Sequence, residues 1–158
     1  MATAAAQRLQ AADQPFELLD LAVLDPLPPC NGHDCYGHPL VGELAGKIAA
    51  ANGVLIASPV YNYDVSASCK NLIELTGSAW KDKMVGLLCA AGGQGSYMAP
   101  MGLFNSLMLD FRCLILPRFV YALEDSFSDN ALIDENVSGR VKELVDQMTR
   151  LSDAWNAG

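Results

Sequence analysis

Two short stretches of this chain set chemistry-bearing residues at a fixed spacing. Ser58-Pro59-Val60-Tyr61-Asn62-Tyr63 follows an apolar run and leads into Lys70-Asn71. Proline stiffens such a loop, tyrosine offers a large rigid face, and free backbone N–H groups can stabilise negative charge. Ala91-Gly92-Gly93-Gln94-Gly95-Ser96 follows a second apolar run, and its glycines let backbone approach a flat ligand closely. Each stretch also has a plainer reading. Ser-Pro often simply ends a strand, paired tyrosines can pack between protomers, and a short glycine-rich loop can be only a turn.

A third stretch, from Cys30 to His38 (CNGHDCYGH), holds two thiols and two imidazoles. Three readings stay open for it: a metal or cluster site, a redox-reactive dithiol, or a surface loop at a subunit contact. Its single Cys-x4-Cys spacing fits no standard metal site, so no metal ligands are assigned. Both histidines of the chain lie here and no Ser or Cys nucleophile motif accompanies them, which argues against histidine acid/base catalysis. Lys70, near a helix start, reads as a packing or ion-pair residue.

The elements that must position these loops follow from periodicity. Residues 2–13 are strong helix formers halted before Pro15, and residues 16–25 mix apolar and acidic side chains as a short, half-exposed strand would. A Pro/Gly-rich loop follows. Leu40, Val41, Leu44, Ile48 and Ala51 then recur at helical spacing up to Asn52-Gly53. Residues 54–57 form an apolar strand closed by Ser58-Pro59, residues 66–78 a helix with Leu72, Ile73 and Thr76 on one face, and residues 84–91 a second apolar strand. A helix carrying Met101, Phe104, Leu107, Met108 and Phe111 comes next. The strand-like residues 114–123 contain Pro117, which argues for an edge or a bulge, and Val137, Val141, Leu144, Val145, Met148 and Leu151 define a last helix. Apolar strands alternating with amphipathic helices predict a parallel sheet covered on both faces, in one domain over residues 1–158.

Composition bounds the partners. Of 158 residues, 51% are hydrophobic and 18% charged, enough apolar surface to offset ordering entropy, and the net charge of −8 disfavours nucleic acid and anionic lipid. No apolar run is long enough to span a bilayer and no signal sequence is evident, which predicts a cytoplasmic protein. Five cysteines, three of them (Cys69, Cys89, Cys113) in apolar or helical stretches, suit a reducing compartment.

The Ser58-Pro59-Val60-Tyr61-Asn62 loop with Lys70-Asn71 after it, and the Gly92-Gly93 loop after the next strand, resemble the NADPH-dependent FMN reductase family. The resemblance implies a flavodoxin-like three-layer α/β/α sandwich, FMN and NAD(P)H as cofactors, and a small electron acceptor such as a flavin or quinone. It implies that Ser58, Pro59, Val60, Tyr61 and Asn62 lie along one side of the isoalloxazine ring and Gly92, Gly93 and Gln94 along the other. No catalytic proton shuttle is implied, because the cofactor carries the hydride chemistry. A homodimer or homotetramer with the flavin near the interface is implied too, for which the aromatic and Met content of residues 97–111 is a candidate contact. Family members begin with a strand and a Ser-rich phosphate loop, whereas residue 1 here falls inside the helix that follows that loop; the first strand is expected to be missing. The rival expectation is a cofactor-free interaction module of the same fold.

Overall fold

A computed structural model describes residues 1–24 and 26–156. Its sheet is built around β3 (Met84–Ala91). MVGLLCAA carries no charged or amide side chain, so both of its faces can be covered without stranding a polar group, and six of its eight residues are buried. β1 (Gly53–Tyr61) runs parallel to β3 from Gly53 opposite Met84 to Pro59 opposite Ala90. β4 (Leu114–Ile115) and β5 (Val120–Leu123) pair in parallel with successive parts of the other side of β3. β2 (Asp64–Val65) folds back antiparallel on the end of β1.

Helices cover both faces, as the alternating pattern predicts. α1 (Ala2–Ala11) and α5 (Glu135–Asn156) pack on Met84, Leu88, Val120 and Ala122. α2 (Pro39–Ala50), α3 (Ala67–Thr76) and α4 (Met101–Phe111) pack on Val85, Leu87 and Cys89. Even-numbered β3 residues thus face one helix layer and odd-numbered ones the other, the period of two that a strand requires. Gly86 is forced by this crowding: a Cβ there would lie 2.8 Å from Leu55 Cδ2 and 3.3 Å from Met148 Cε. Lys83 ties the layers at one end, its Nζ donating to the carbonyls of Ala49 and Ala51 at 2.6 and 2.7 Å where α2 stops.

Several expectations are corrected. Residues 16–24 form no strand; residue 25 lies outside the described residues. Asp20 bends this segment locally, its carboxylate accepting the Ala22 N–H at 2.9 Å and its carbonyl the Val23 N–H at 3.2 Å. No described strand pairs with the segment, and Phe16, Leu18 and Val23 are exposed. β1 does not stop at Ser58-Pro59 but continues to Tyr61, because β2 folds back and pairs with Val60 and Tyr61. The sheet is mixed rather than all parallel, since β2 reverses direction. Met108 is exposed, and Leu103 takes its place beside Phe104 and Leu107 in the buried face of α4.

The stretch around Pro117 is bulged, as expected. Ile115 and Val120 are five positions apart while their partners Val85 and Leu88 are three apart, so two extra residues are looped out, with Arg118 at φ 61°. A hairpin of β6 (Phe127–Ser128) and β7 (Ala131–Leu132) is unforeseen from the sequence. It turns on Asp129 and Asn130, both at positive φ.

Candidate functional site

Parallel pairing brings the two candidate loops to one edge of the sheet. Ser58 lies opposite Cys89 and Pro59 opposite Ala90, so the chain leaves β1 and β3 at the same level on adjacent strands, about 4.8 Å apart. Both loops stand at the carboxyl end of the parallel strands, where open α/β sheets form ligand crevices.

Ser58 is buried and its hydroxyl is committed to the scaffold. Ser58 Oγ accepts the Ser66 N–H at 3.0 Å and lies 3.0 Å from the Pro59 carbonyl oxygen. Ser66 caps α3, its Oγ accepting the Cys69 N–H at 3.3 Å. A clasp of two serines therefore ties β1 to the start of α3, and the Val60–Asn62 stretch is held between these points.

That stretch is a tight hairpin. Tyr61 pairs with Asp64, leaving Asn62 and Tyr63 as its central residues at φ 50° and 65°. Positive φ at both central positions marks the turn whose twist suits a β-hairpin; Asn tolerates it, whereas a tyrosine there is strained. Tyr61 and Tyr63 are consequently displayed at the tip, 63% and 55% exposed.

Across the edge, Gly92, Gly93 and Gln94 are exposed, and a Cβ added at Gly92, Gly93 or Gly95 would meet nothing within 4 Å. Gly93 is extended at φ −168°. Neither conformation nor packing thus demands glycine at Gly93, and the space above it is open. The loop is nevertheless held: the Tyr121 hydroxyl donates to the Gly93 carbonyl at 2.6 Å. Burial, ahead of any neighbour, pushes the Tyr121 phenol up, which keeps it a neutral donor. Tyr97 covers this anchor, its ring centroid 5.3 Å from Tyr121 and 5.0 Å from Phe119. Tyr97 and Tyr121 escaped the sequence reading, although the Phe119/Tyr121 alternation is a readable sign that both rings share a sheet face.

Lys70 pairs with Glu74 at 3.1 Å, the ion-pair role expected of it. Asn71 instead fastens the cysteine loop to α3: its Oδ1 accepts the Cys30 N–H at 2.8 Å and its Nδ2 donates to the Pro28 carbonyl at 3.0 Å. Among the described residues no three His, Cys, Asp or Glu side chains converge as metal ligands.

The sequence model of the NADPH-dependent FMN reductases matches residues 1–127. The chain belongs to the NADPH-dependent FMN reductase family. The match spans both loops. The chain is 29% identical over 119 residues to an NADPH:quinone oxidoreductase of Arabidopsis thaliana, covering 68% of this chain and 59% of that protein. It is 25% identical over 113 residues to an NAD(P)H-dependent FAD/FMN reductase of Geobacillus thermodenitrificans, covering 70% and 61%. The chain thus spans about three fifths of the length of these relatives.

In fold, this FMN reductase family member is similar to an NADH:FMN oxidoreductase in its apo form, with a TM-score of 0.76 at 18% identity, covering 95% of this chain and 78% of that one. It is similar also to the flavoenzyme NAD(P)H:(acceptor) oxidoreductase of Paracoccus denitrificans, with a TM-score of 0.74 at 21% identity over 96% and 87%. An archaeal flavodoxin aligns at TM-score 0.66 and 10% identity over 96% and 87%, so the flavodoxin-like architecture is shared well beyond sequence likeness.

Proposed function

We propose that this chain forms the ring-binding part of an NAD(P)H-dependent FMN oxidoreductase that passes hydride from a nicotinamide through the flavin to a small acceptor, a flavin or a quinone. The observation that carries the reading is the register of the two loops: a rigid Tyr-bearing hairpin and an unfilled Gly-Gly shelf, side by side at the carboxyl edge of adjacent parallel strands.

The residues present fit a flat aromatic group. Open space above Gly92, Gly93 and Gly95 admits a ring against bare backbone, and the exposed faces of Tyr61 and Tyr63 supply apolar surface beside it. FMN, when bound, supplies the hydride chemistry. The chain's own residues bind and orient: Ser58 and Pro59 fix the hairpin, Val60, Tyr61 and Asn62 face one side of the ring, and Gly92, Gly93 and Gln94 border the other. Backbone N–H groups of the two loops can stabilise negative charge on the ring without a proton relay. The exposed Tyr97, Met98 and Met108 form the surface we assign to a homodimer contact.

The test is the visible spectrum of the purified chain after FMN is added and the excess removed. Retained flavin bands that bleach with NADPH support the reading. A folded, colourless protein overturns it and leaves a cofactor-free module of the same fold.

A further inference from the structure

The loop between α1 and α2 holds a second chemistry that the flavin reading does not use. Cys30 and Cys35 are both reduced, and their side chains pack in one small apolar cluster with Val41 and Leu75. The Cys30 sulfur sits 3.5 Å from the Tyr36 hydroxyl. Cys35 is buried, and the Asn31 N–H donates to its sulfur at 3.4 Å.

The loop is shaped to hold this arrangement. Gly32 turns at φ 76°, Asn31 Nδ2 donates to Asp34 at 2.7 Å, and Asn31 Oδ1 accepts the His33 N–H at 3.0 Å. The resulting turn points the Asn31 N–H at the Cys35 sulfur. Burial works to push the Cys35 thiol up, but hydrogen bonding from the loop backbone and the neighbouring Cys30 thiol outweigh it and the thiol lies below its ordinary value. The other three cysteines have no such cradle, and burial pushes all three up.

Cys30 is only half-buried and faces a groove of about 520 Å³ between α3 and α4. Lys70, Glu74, Asn105 and Asp110 give that groove both signs of charge and hydrogen-bonding groups, which suits a small zwitterionic molecule. We propose that Cys30 and Cys35 are a thiol–disulfide exchange site for a low-molecular-weight peptide disulfide, closing reversibly into a Cys30–Cys35 bond. The Cys30 sulfur attacks one sulfur of the small disulfide, forms a mixed disulfide and releases one small thiol. The Cys35 thiolate then attacks the Cys30 sulfur and releases the second. Two protein thiols are oxidised by two electrons, one small disulfide is reduced to two thiols, and the two protons end on the released thiols. In reverse, a small thiolate attacks Cys30 from the groove and Cys35 departs as the thiolate that the loop N–H groups stabilise. The inference is independent of flavin binding.

The full chain itself provides the test. Trypsin cleaves at Arg8 and Lys47 and nowhere between, so one peptide, residues 9–47, carries Cys30 and Cys35 and no other cysteine. The native protein is equilibrated in mixtures of reduced and oxidised glutathione, quenched in acid, alkylated after denaturation and analysed by mass. The expected result is loss of two hydrogens from that peptide, reversed by dithiothreitol, at ratios where Cys69, Cys89 and Cys113 are still fully alkylated. Cys35→Ser is expected to accumulate glutathione on Cys30 with no internal bond, and Cys30→Ser to leave Cys35 unmodified. A wild-type peptide that stays fully alkylated, or that carries glutathione without ever forming the internal bond, overturns the proposal. The wild-type measurement decides even if a variant folds poorly.

Discussion

Glycine at position 93 is informative because the free chain has no need of it. The backbone there is extended, a conformation open to any residue, and an added Cβ would touch nothing. Gly93→Val is therefore expected to change folding stability by no more than about 0.5 kcal/mol while abolishing FMN retention, the two readouts being urea denaturation and the bound-flavin spectrum. Tyr63 makes the opposite case. Its left-handed backbone costs roughly 1 kcal/mol in a tyrosine and little in an asparagine. Tyr63→Asn is expected to stabilise the chain by up to about 1 kcal/mol, seen as a higher urea midpoint, and to loosen FMN. Strain kept at a candidate binding tip is the pattern expected where function opposes stability. Ser58, by contrast, reads as a ligand residue in the sequence and is a structural clasp in the fold. Ser58→Ala leaves the Ser66 N–H without its acceptor and is expected to cost about 1–3 kcal/mol, measured by the same denaturation.

At the scale of elements, β3 carries the molecule. Its two buried faces are what the two helix layers share, so disturbance at Gly86 reaches both β1, through Leu55, and α5, through Leu144 and Met148. Gly86→Ala forces Leu55 and Met148 to shift in a close-packed layer and is expected to destabilise by about 1–3 kcal/mol, with an unchanged m-value if the fold is kept. The apolar runs that became β1 and β3 and the stripes of α2, α3 and α5 were legible because each buries a face, and burial leaves a period in the sequence. Residues 16–24 were misread for the complementary reason. A strand is defined by its neighbour as much as by its own residues, and a mixed apolar segment with no described partner follows its local Asx turn at Asp20 instead. The end of β1 was misplaced likewise, since the pairing of Val60 and Tyr61 with β2 carries the strand past Ser-Pro.

At the scale of the whole molecule, buried thiols link the core to pH. Burial, the largest cause in each case, holds Cys69 at about 11 and Cys89 at about 12 against an ordinary value of 9.0. In the unfolded chain both ionise near the ordinary value, while in the fold they stay neutral well above it. Their contribution to stability is complete below pH 9.0 and is lost as pH climbs from there towards 12. Denaturation midpoints are therefore expected to fall through that alkaline window, and less steeply in Cys89→Ala; a flat profile would remove the thiols from the account.

The sequence by itself determined the alternation of apolar strands and amphipathic helices, hence the layered sheet. It also determined two loops whose residue types and spacing identify the family, because these depend on neighbours close along the chain. Only the tertiary structure decided which loop residues face outward and which brace the scaffold, that Asn71 holds the cysteine loop, and that Tyr121 and Tyr97 stand behind the Gly93 shelf. It alone brought the Asn31 N–H to the Cys35 sulfur and packed Cys30 beside it. Hydrogen-bond direction, exposure and strand partnership are properties of arrangement in space, and segments far apart in the chain must meet before they exist.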